Sequence, residues 1–260
     1  MNKNNVKTVI LAGGGGTRLG ELTQTIPKPM VEIGNRPIIW HIMRTYSNYG
    51  FSRFEICCGY KGHIIKEYFH NYKVNTTDFT VYTKYNYTSY CDSSDTDWTV
   101  SLTDTGEDTM TGGRLLRIKQ KISDTFMMTY GDGLSDINIA ELLEFHKSHG
   151  KIATVTAVNP PGRFGVLEIE KDKSVSAFIE KPNDNHWING GFFVLEPGVF
   201  DYIDKGDSTI FEHNPLRRLA EDGQLKAFKH EGFWKPMDTM KDKGELQLLW
   251  ESGEAPWKVW

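Results

Sequence analysis

Cysteine is scarce in this sequence, and the scarcity removes several chemistries at once. Only Cys57, Cys58 and Cys91 occur among 260 residues. The count is odd, two are adjacent and no CxxC spacing exists, so neither a disulfide framework nor a thiolate metal site is expected; the pattern predicts reduced thiols. Long apolar runs are missing too. No window approaches 18 consecutive apolar residues, which argues against a membrane-spanning helix. The opening MNKNN is polar with no apolar signal core behind it, so a cytoplasmic location is expected and the N-x-T matches at Asn75 and Asn86 carry no expectation of glycosylation. An excess of positive charge is also absent: 30 basic against 34 acidic residues leave a net charge of -4. That balance argues against nucleic acid or an anionic membrane as partner, and any phosphate must be met locally. The eight histidines show no HxxxH or HExxH spacing, so no zinc site is expected. His146 and His149, late in a predicted helix, are expected to serve the helix dipole or the surface.

What is present is an alternation of strands and helices. KTVILA (7–12) is a short β-branched run ended by glycines, and RFEICCGY (53–60), DTFMMTYGDG (124–133) and KIATVTAV (151–158) read as further buried strands. Between them lie helical patterns at 37–50, 62–72 and 137–150. In the first, Ile38, Ile39, Ile42, Met43 and Tyr46 share one face, with proline at the start and glycine at the end. This spacing predicts an α/β protein with an open, mostly parallel sheet and helices on both faces. The runs at 164–171, 174–181 and 188–197 are short with tight links, which predicts a smaller antiparallel appendage. Residues 73–110, rich in Tyr, Thr, Asp, Asn and Ser, predict a hairpin and a mobile loop. The end carries Trp250, Trp257 and Trp260, read either as a tail packed on its own core or as an anchor at a subunit contact.

The stretch AGGGGTRLGELTQTIPKPM carries the chemistry. Glycines after a buried strand expose backbone N–H groups that form an anion-binding concavity. The dinucleotide fingerprint needs glycines at i, i+2 and i+5. From Gly13 the third place is Arg18, from Gly14 it is Leu19, and from Gly15 the second place is Thr17, so every register fails. A P-loop fits Gly15 and Gly20, but Glu21 and Leu22 follow where Lys and Ser or Thr belong. What remains is a cluster of backbone donors with Arg18 in the loop and Lys28 ten residues on. A planar fork and a point charge beside such donors suit a polyphosphate. Asp132 in YGDG follows a predicted strand, where ligands of open α/β sheets gather, and Asp238 in PMDT precedes a predicted helix. Taken alone, Asp132 reads better as a turn residue and Asp238 as a helix N-cap.

LAGGGGTRL with PKPM resembles the signature of the sugar-1-phosphate nucleotidylyltransferases. PIIWHIM, CCGYKGHIIKEYF, DTGEDTMTGGRL, TYGDG, PPGRFGVLEI, EKP, INGGFFVL and FWKPMDT extend the resemblance in order along nearly the whole chain. It implies a doubly wound nucleotide fold, with 1–260 as a single nucleotidyltransferase domain. Residues 73–110 are then the hairpin and mobile loop insertion, and 160–235 the sugar-binding part. It implies transfer of CMP from CTP to a sugar 1-phosphate with release of pyrophosphate, a requirement for Mg2+, and a homo-oligomer. By the same resemblance Asp132 and Asp238 hold the metal, Arg18 holds the departing phosphates and Lys28 sits on the α-phosphate. Leu11, Ala12, Gly13, Gly14, Gly15, Gly16, Thr17, Thr109, Thr111, Gly112, Gly113, Arg114 and Gly131 border the nucleotide. Tyr130, Gly165, Glu180, Lys181, Asn189 and Gly190 meet the sugar phosphate. UTP, dTTP or another sugar are alternatives, as is a silent nucleotide-sugar binding module. The silent module is disfavoured because Arg18, Lys28, Asp132, Lys181 and Asp238 are all present.

Overall fold

The computed structural model describes residues 5–91, 96–160, 166–171, 173–179 and 186–260. Its centre is a seven-stranded sheet built from β1 (Lys7–Ala12), β2 (Arg53–Cys58), β3 (Thr99–Asp104), β4 (Phe126–Tyr130), β5 (Ala153–Val158), β6 (Ile188–Leu195) and β7 (Leu225–His230). The spatial order is β7-β5-β6-β4-β1-β2-β3. Four pairings are parallel, and β6 runs antiparallel to both neighbours.

The apolar runs of β1 and β2 follow from burial on both faces. Ile10, Ala12, Ile56 and Cys58 join one buried cluster, while Val9, Leu11 and Cys57 join the other. The first cluster is closed by α1 (Ile38–Asn48) and α4 (Ile139–His149), the second by residues of α3 (Thr111–Arg117) and α5 (Asn214–Glu221). Helix α2 (Gly62–His70) follows β2 and packs Ile65 into the first cluster, and α6 (Met240–Glu251) adds Leu246 to it. Cys57 and Cys58 are buried free thiols; burial pushes both pKa values up, that of Cys58 to about 11, which leaves them unreactive.

Three expectations are corrected. The run at 188–197 belongs to no appendage: as β6 it lies inside the main sheet, while Val166–Ile169 and Val175–Ile179 form a separate antiparallel pair. The 73–110 segment does contain a hairpin, Phe79–Tyr82 against Tyr87–Tyr90, but also the edge strand β3. Strand β7, at the opposite edge, had no apolar run to announce it. Edge strands are covered incompletely, so TVSLTD and LKAFKH stay polar and escape a hydrophobicity reading. Last, His146 is no surface group. It is 2 % exposed, its Nδ1 meets Thr154 Oγ1 at 2.8 Å and its Nε2 meets Glu196 Oε1 at 3.1 Å, pinning α4 to the sheet.

The C-terminal tryptophans fold back on their own core. Trp257 is fully buried, and the rings of Trp40, Trp250, Trp257 and Trp260 surround His41. His41 Nε2–H donates to the Ile33 carbonyl at 2.8 Å and Nδ1 accepts from Trp257 Nε1 at 3.3 Å, which fixes a neutral ring. Burial lowers its pKa from 6.5 to about 4. The unfolded chain therefore binds a proton there that the folded chain refuses, and this stability is full above pH 6.5 and is lost as pH falls towards 4. The loss amounts to about 3 kcal/mol. Thermal melts from pH 7 to pH 4 are expected to show a shallower acid decline for His41→Gln than for the unsubstituted chain; equal slopes would remove His41 as the cause.

Among the described residues no helix is long and apolar enough to cross a membrane.

Candidate active site

The register of the parallel strands builds the site. Ala12 pairs with Cys58, Cys58 with Asp104, and Leu11 with Tyr130. The carboxyl ends of β1, β2, β3 and β4 are thus level, and the loops beginning at Gly13, Gly59, Thr105 and Gly131 leave the sheet side by side. From β1 the chain crosses to β2 on one side, while β4 flanks β1 on the other; that reversal opens a crevice where such sheets bind ligands. Strand β6 enters from the opposite direction, so its first residues, not its last, reach this edge. A bulge between its pairings with Val155 and Ala157 turns Asn189 and Gly190 towards the crevice.

The glycine run wraps one wall. Gly16 has φ +61°, and a Cβ there would meet Lys28 Cβ at 3.0 Å, so only glycine fits. Gly13 lies flat on Arg114, and a Cβ would come within 2.1 Å of the guanidinium. Arg114 is 4 % exposed and donates to the carbonyls of Gly13 (2.9 Å), Gly106 (2.7 Å) and Glu107 (3.0 Å), and to Thr105 Oγ1 (2.8 Å). It thereby straps the loop after β1 to the loop after β3.

A two-stranded ribbon sets the acidic centre. Gly133–Ser135 pairs antiparallel with Trp234–Pro236, with Gly133 opposite Pro236. One step further, Met237 N–H donates to the Asp132 carbonyl at 2.9 Å, so Asp132 and Asp238 become neighbours across 106 residues of chain. Asp238 is not a helix cap. That place belongs to Thr239, which makes a reciprocal capping box with Asp242 at the start of α6. The freed carboxylate accepts from Lys28 Nζ at 2.7 Å and from Arg18 at 2.8 Å, and Asp132 accepts from the same Nζ at 2.6 Å. Lys28 is held by a tight turn between Pro27 and Pro29 and is 7 % exposed, whereas the Arg18 side chain is 69 % exposed.

The cleft between these walls encloses about 490 Å3, within the range of small-molecule sites. Leu11, Ala12, Gly13, Gly14, Gly16, Arg18, Lys28, Thr109, Thr111, Arg114, Tyr130, Gly131, Asp132, Asn189, Gly190 and Asp238 all line it. Gly15 and Thr17 share the loop but face solvent. Gly112 and Gly113 do not border the cleft: added Cβ atoms would strike the Thr209 and Asp207 backbones at 2.9 and 2.6 Å, so they let α3 pack on the 205–209 segment. Gly165, Glu180 and Lys181 lie outside the described residues.

Two residues escaped sequence reasoning. Trp234 lines the cleft, and its Nε1–H donates to the Gly190 carbonyl at 2.7 Å, which fixes its ring beside Asn189 and Gly190. Its signal was present in FWKPMDT, where the aromatic ring stands four residues before Asp238. Glu212 accepts hydrogen bonds from both Thr111 and Tyr130 but belongs to no recognisable motif. No histidine lines the described cleft, and no group of three metal-ligating side chains occurs among the described residues.

The chain is similar to known proteins along nearly its whole length. The Nucleotidyl transferase family pattern matches residues 7–254. The glucose-1-phosphate cytidylyltransferase of Salmonella typhi is 54 % identical over 258 residues, covering 98 % of this chain and all of that protein. The mannose-1-phosphate guanyltransferase of Saccharomyces cerevisiae is 32 % identical over 250 residues, which is 91 % of this chain and 62 % of that one. Among solved structures, HddC from Yersinia pseudotuberculosis superposes with a TM-score of 0.65 at 24 % identity, covering 94 % of this chain and 99 % of that one, a likeness of fold.

Proposed function

This chain belongs to the nucleotidyl transferase family, and from that membership we propose a glucose-1-phosphate cytidylyltransferase, which moves CMP from CTP to α-D-glucose 1-phosphate and yields CDP-glucose and pyrophosphate. The observation that carries the chemistry is the convergence of Asp132, Asp238, Lys28 and Arg18 at the mouth of a glycine-walled cleft.

A sugar 1-phosphate is already ionised near neutral pH, so its oxygen needs no general base to attack. The obstacle is bringing one anion up to the α-phosphate of another. Charge screening and in-line positioning are therefore the catalytic tasks. The glycine-loop amides and Arg18 hold the β- and γ-phosphates that leave as pyrophosphate. Lys28 steadies the α-phosphate as the bond changes. Tyr130, Asn189, Gly190 and Trp234 line the sugar side, and Trp234 offers an apolar ring face with its N–H already engaged.

Asp132 and Asp238 suit a divalent cation. Their oxygens converge on one point already held by positive charge, and an all-oxygen pair of carboxylates fits Mg2+, which takes one or two carboxylates and completes its shell with phosphate and water. Such an ion, when bound, screens the triphosphate and polarises the α-phosphate.

A cytoplasmic homo-oligomer of one nucleotidyltransferase domain completes the proposal. The hairpin supports the oligomer: Phe79, Val81, Tyr82, Tyr85 and Tyr87 are each at least 42 % exposed, a clustered apolar surface of the kind that marks contact sites.

A pyrophosphate-release assay crossing CTP, UTP, dTTP and ATP with several sugar 1-phosphates tests this reading. Release is expected to be fastest with CTP and glucose 1-phosphate and to stop with EDTA. Faster release from another pair would move the substrate assignment, and silence with every pair would favour a binding module.

A further inference from the structure

Thr111 and Tyr130 lie on different elements, one opening α3 and one closing β4, and both line the cleft. Both send their hydroxyl protons to a single carboxylate. Thr111 Oγ1 donates to Glu212 Oε2 at 2.6 Å, and the Tyr130 hydroxyl donates to Glu212 Oε1. Thr111 Oγ1 is itself held from behind, accepting from Phe211 N–H at 2.9 Å. At the start of β6, Asn189 lines the cleft with Tyr130, and its Oδ1 accepts from Gly191 N–H at 2.8 Å. A hydrogen-bonded chain thus runs from α3, on the proposed nucleotide side, through Glu212 to Tyr130 at the end of β4, on the proposed sugar side.

We propose that Glu212 is a positioning residue that sets the spacing between the nucleotide and sugar-phosphate subsites; the proposal rests on the cytidylyltransferase reading above. The direction of every proton in the chain follows from Glu212. An ionised carboxylate has only acceptors, so both hydroxyls must point at it. Hydrogen bonds to a charged acceptor are short and about twice as strong as neutral ones, so each end is drawn to a defined place. The chemistry needs this. In-line attack requires the sugar phosphate and the α-phosphate at one separation, and small displacements of either partner are costly in rate. Glu212 is not itself among the residues that line the cleft and acts through Thr111 and Tyr130, which are.

The test is a double-mutant cycle in steady-state pyrophosphate release, using Thr111→Val and Tyr130→Phe singly and together. Among the described residues Glu212 is the one group that accepts a hydrogen bond from both, so near-additive effects are the expectation if it does not couple them. With Glu212 in place, the combined loss in kcat/KM is expected to differ from the product of the single losses by about 5-fold or more. In a Glu212→Gln background the two losses are expected to multiply within twofold, because the amide nitrogen turns one end of the carboxylate into a donor facing a donor. Glu212→Gln alone is expected to lower kcat by about 10-fold, with smaller changes in either KM. Multiplicative losses in the Glu212 background, or coupling that survives Glu212→Gln, would overturn the proposal. The Glu212 background alone suffices for the first of these, whatever the folding of the Gln variant. Turnover by the unsubstituted enzyme reports separately on the substrate pair.

Discussion

Asp132→Asn is expected to reduce pyrophosphate release by about 10²–10³-fold or more, with the fold retained. The substitution keeps the size of the side chain and removes one unit of negative charge from the point where Asp132 and Asp238 converge. Lys28 keeps its bond to Asp238 at 2.7 Å, so no buried charge is left alone, and the ribbon that holds Met237 to the Asp132 carbonyl uses backbone only. Circular dichroism and melting temperature should therefore match the unsubstituted chain while turnover falls. Near-normal turnover with CTP and glucose 1-phosphate would remove Asp132 from the proposed metal site.

Lys28→Met should act as strongly on turnover, by about 10²-fold or more, but with a signature of its own. In the folded chain the Lys28 ammonium is the shared counter-ion of both aspartates, buried and bracketed by two prolines. Without it, two neighbouring carboxylates repel each other in a partly desolvated place. Removing one partner from such a group costs several kcal/mol. A divalent cation answers that repulsion. Mn2+, titrated in the absence of nucleotide, is expected to bind the Met variant about tenfold or more tighter than the unsubstituted chain. Its melting temperature is expected to rise more steeply with added Mn2+. Turnover close to that of the unsubstituted enzyme would exclude Lys28 from the chemistry. Mn2+ affinity that is unchanged or weaker would show that Lys28 and the metal do not share the two carboxylates.

These expectations come from different depths of reading. The glycine run, Arg18 and Lys28 were legible from a strand end and a proline-bracketed turn, while Asp132 and Asp238, at another strand end and before a helix, took their role from the resemblance. Such places are set by neighbours a few positions away. Arg114 was legible as a name and not as a role. The resemblance implied a contact with the nucleotide, and beside its place in the cleft wall its buried fork ties the Gly13, Gly106 and Glu107 carbonyls. Gly112 and Gly113 likewise read as a nucleotide wall and turned out to be where α3 meets the 205–209 segment. A glycine reports only that space is tight; what fills the space belongs to another part of the chain.

The sequence by itself determined the alternation of buried strands and helices and the glycine loop at the end of the first strand. Hydrophobic period, turn residues and composition are local quantities that survive without a fold. Tertiary structure alone decided that β6 runs backwards through the sheet and delivers Asn189 to the cleft. It alone brought Asp132 and Asp238 together through a three-residue ribbon and joined Thr111 to Tyr130 through Glu212. Those facts depend on register between segments tens to more than a hundred residues apart. Register is set by which pairing buries both sheet faces at once, a property of the closed core that no single stretch of sequence contains.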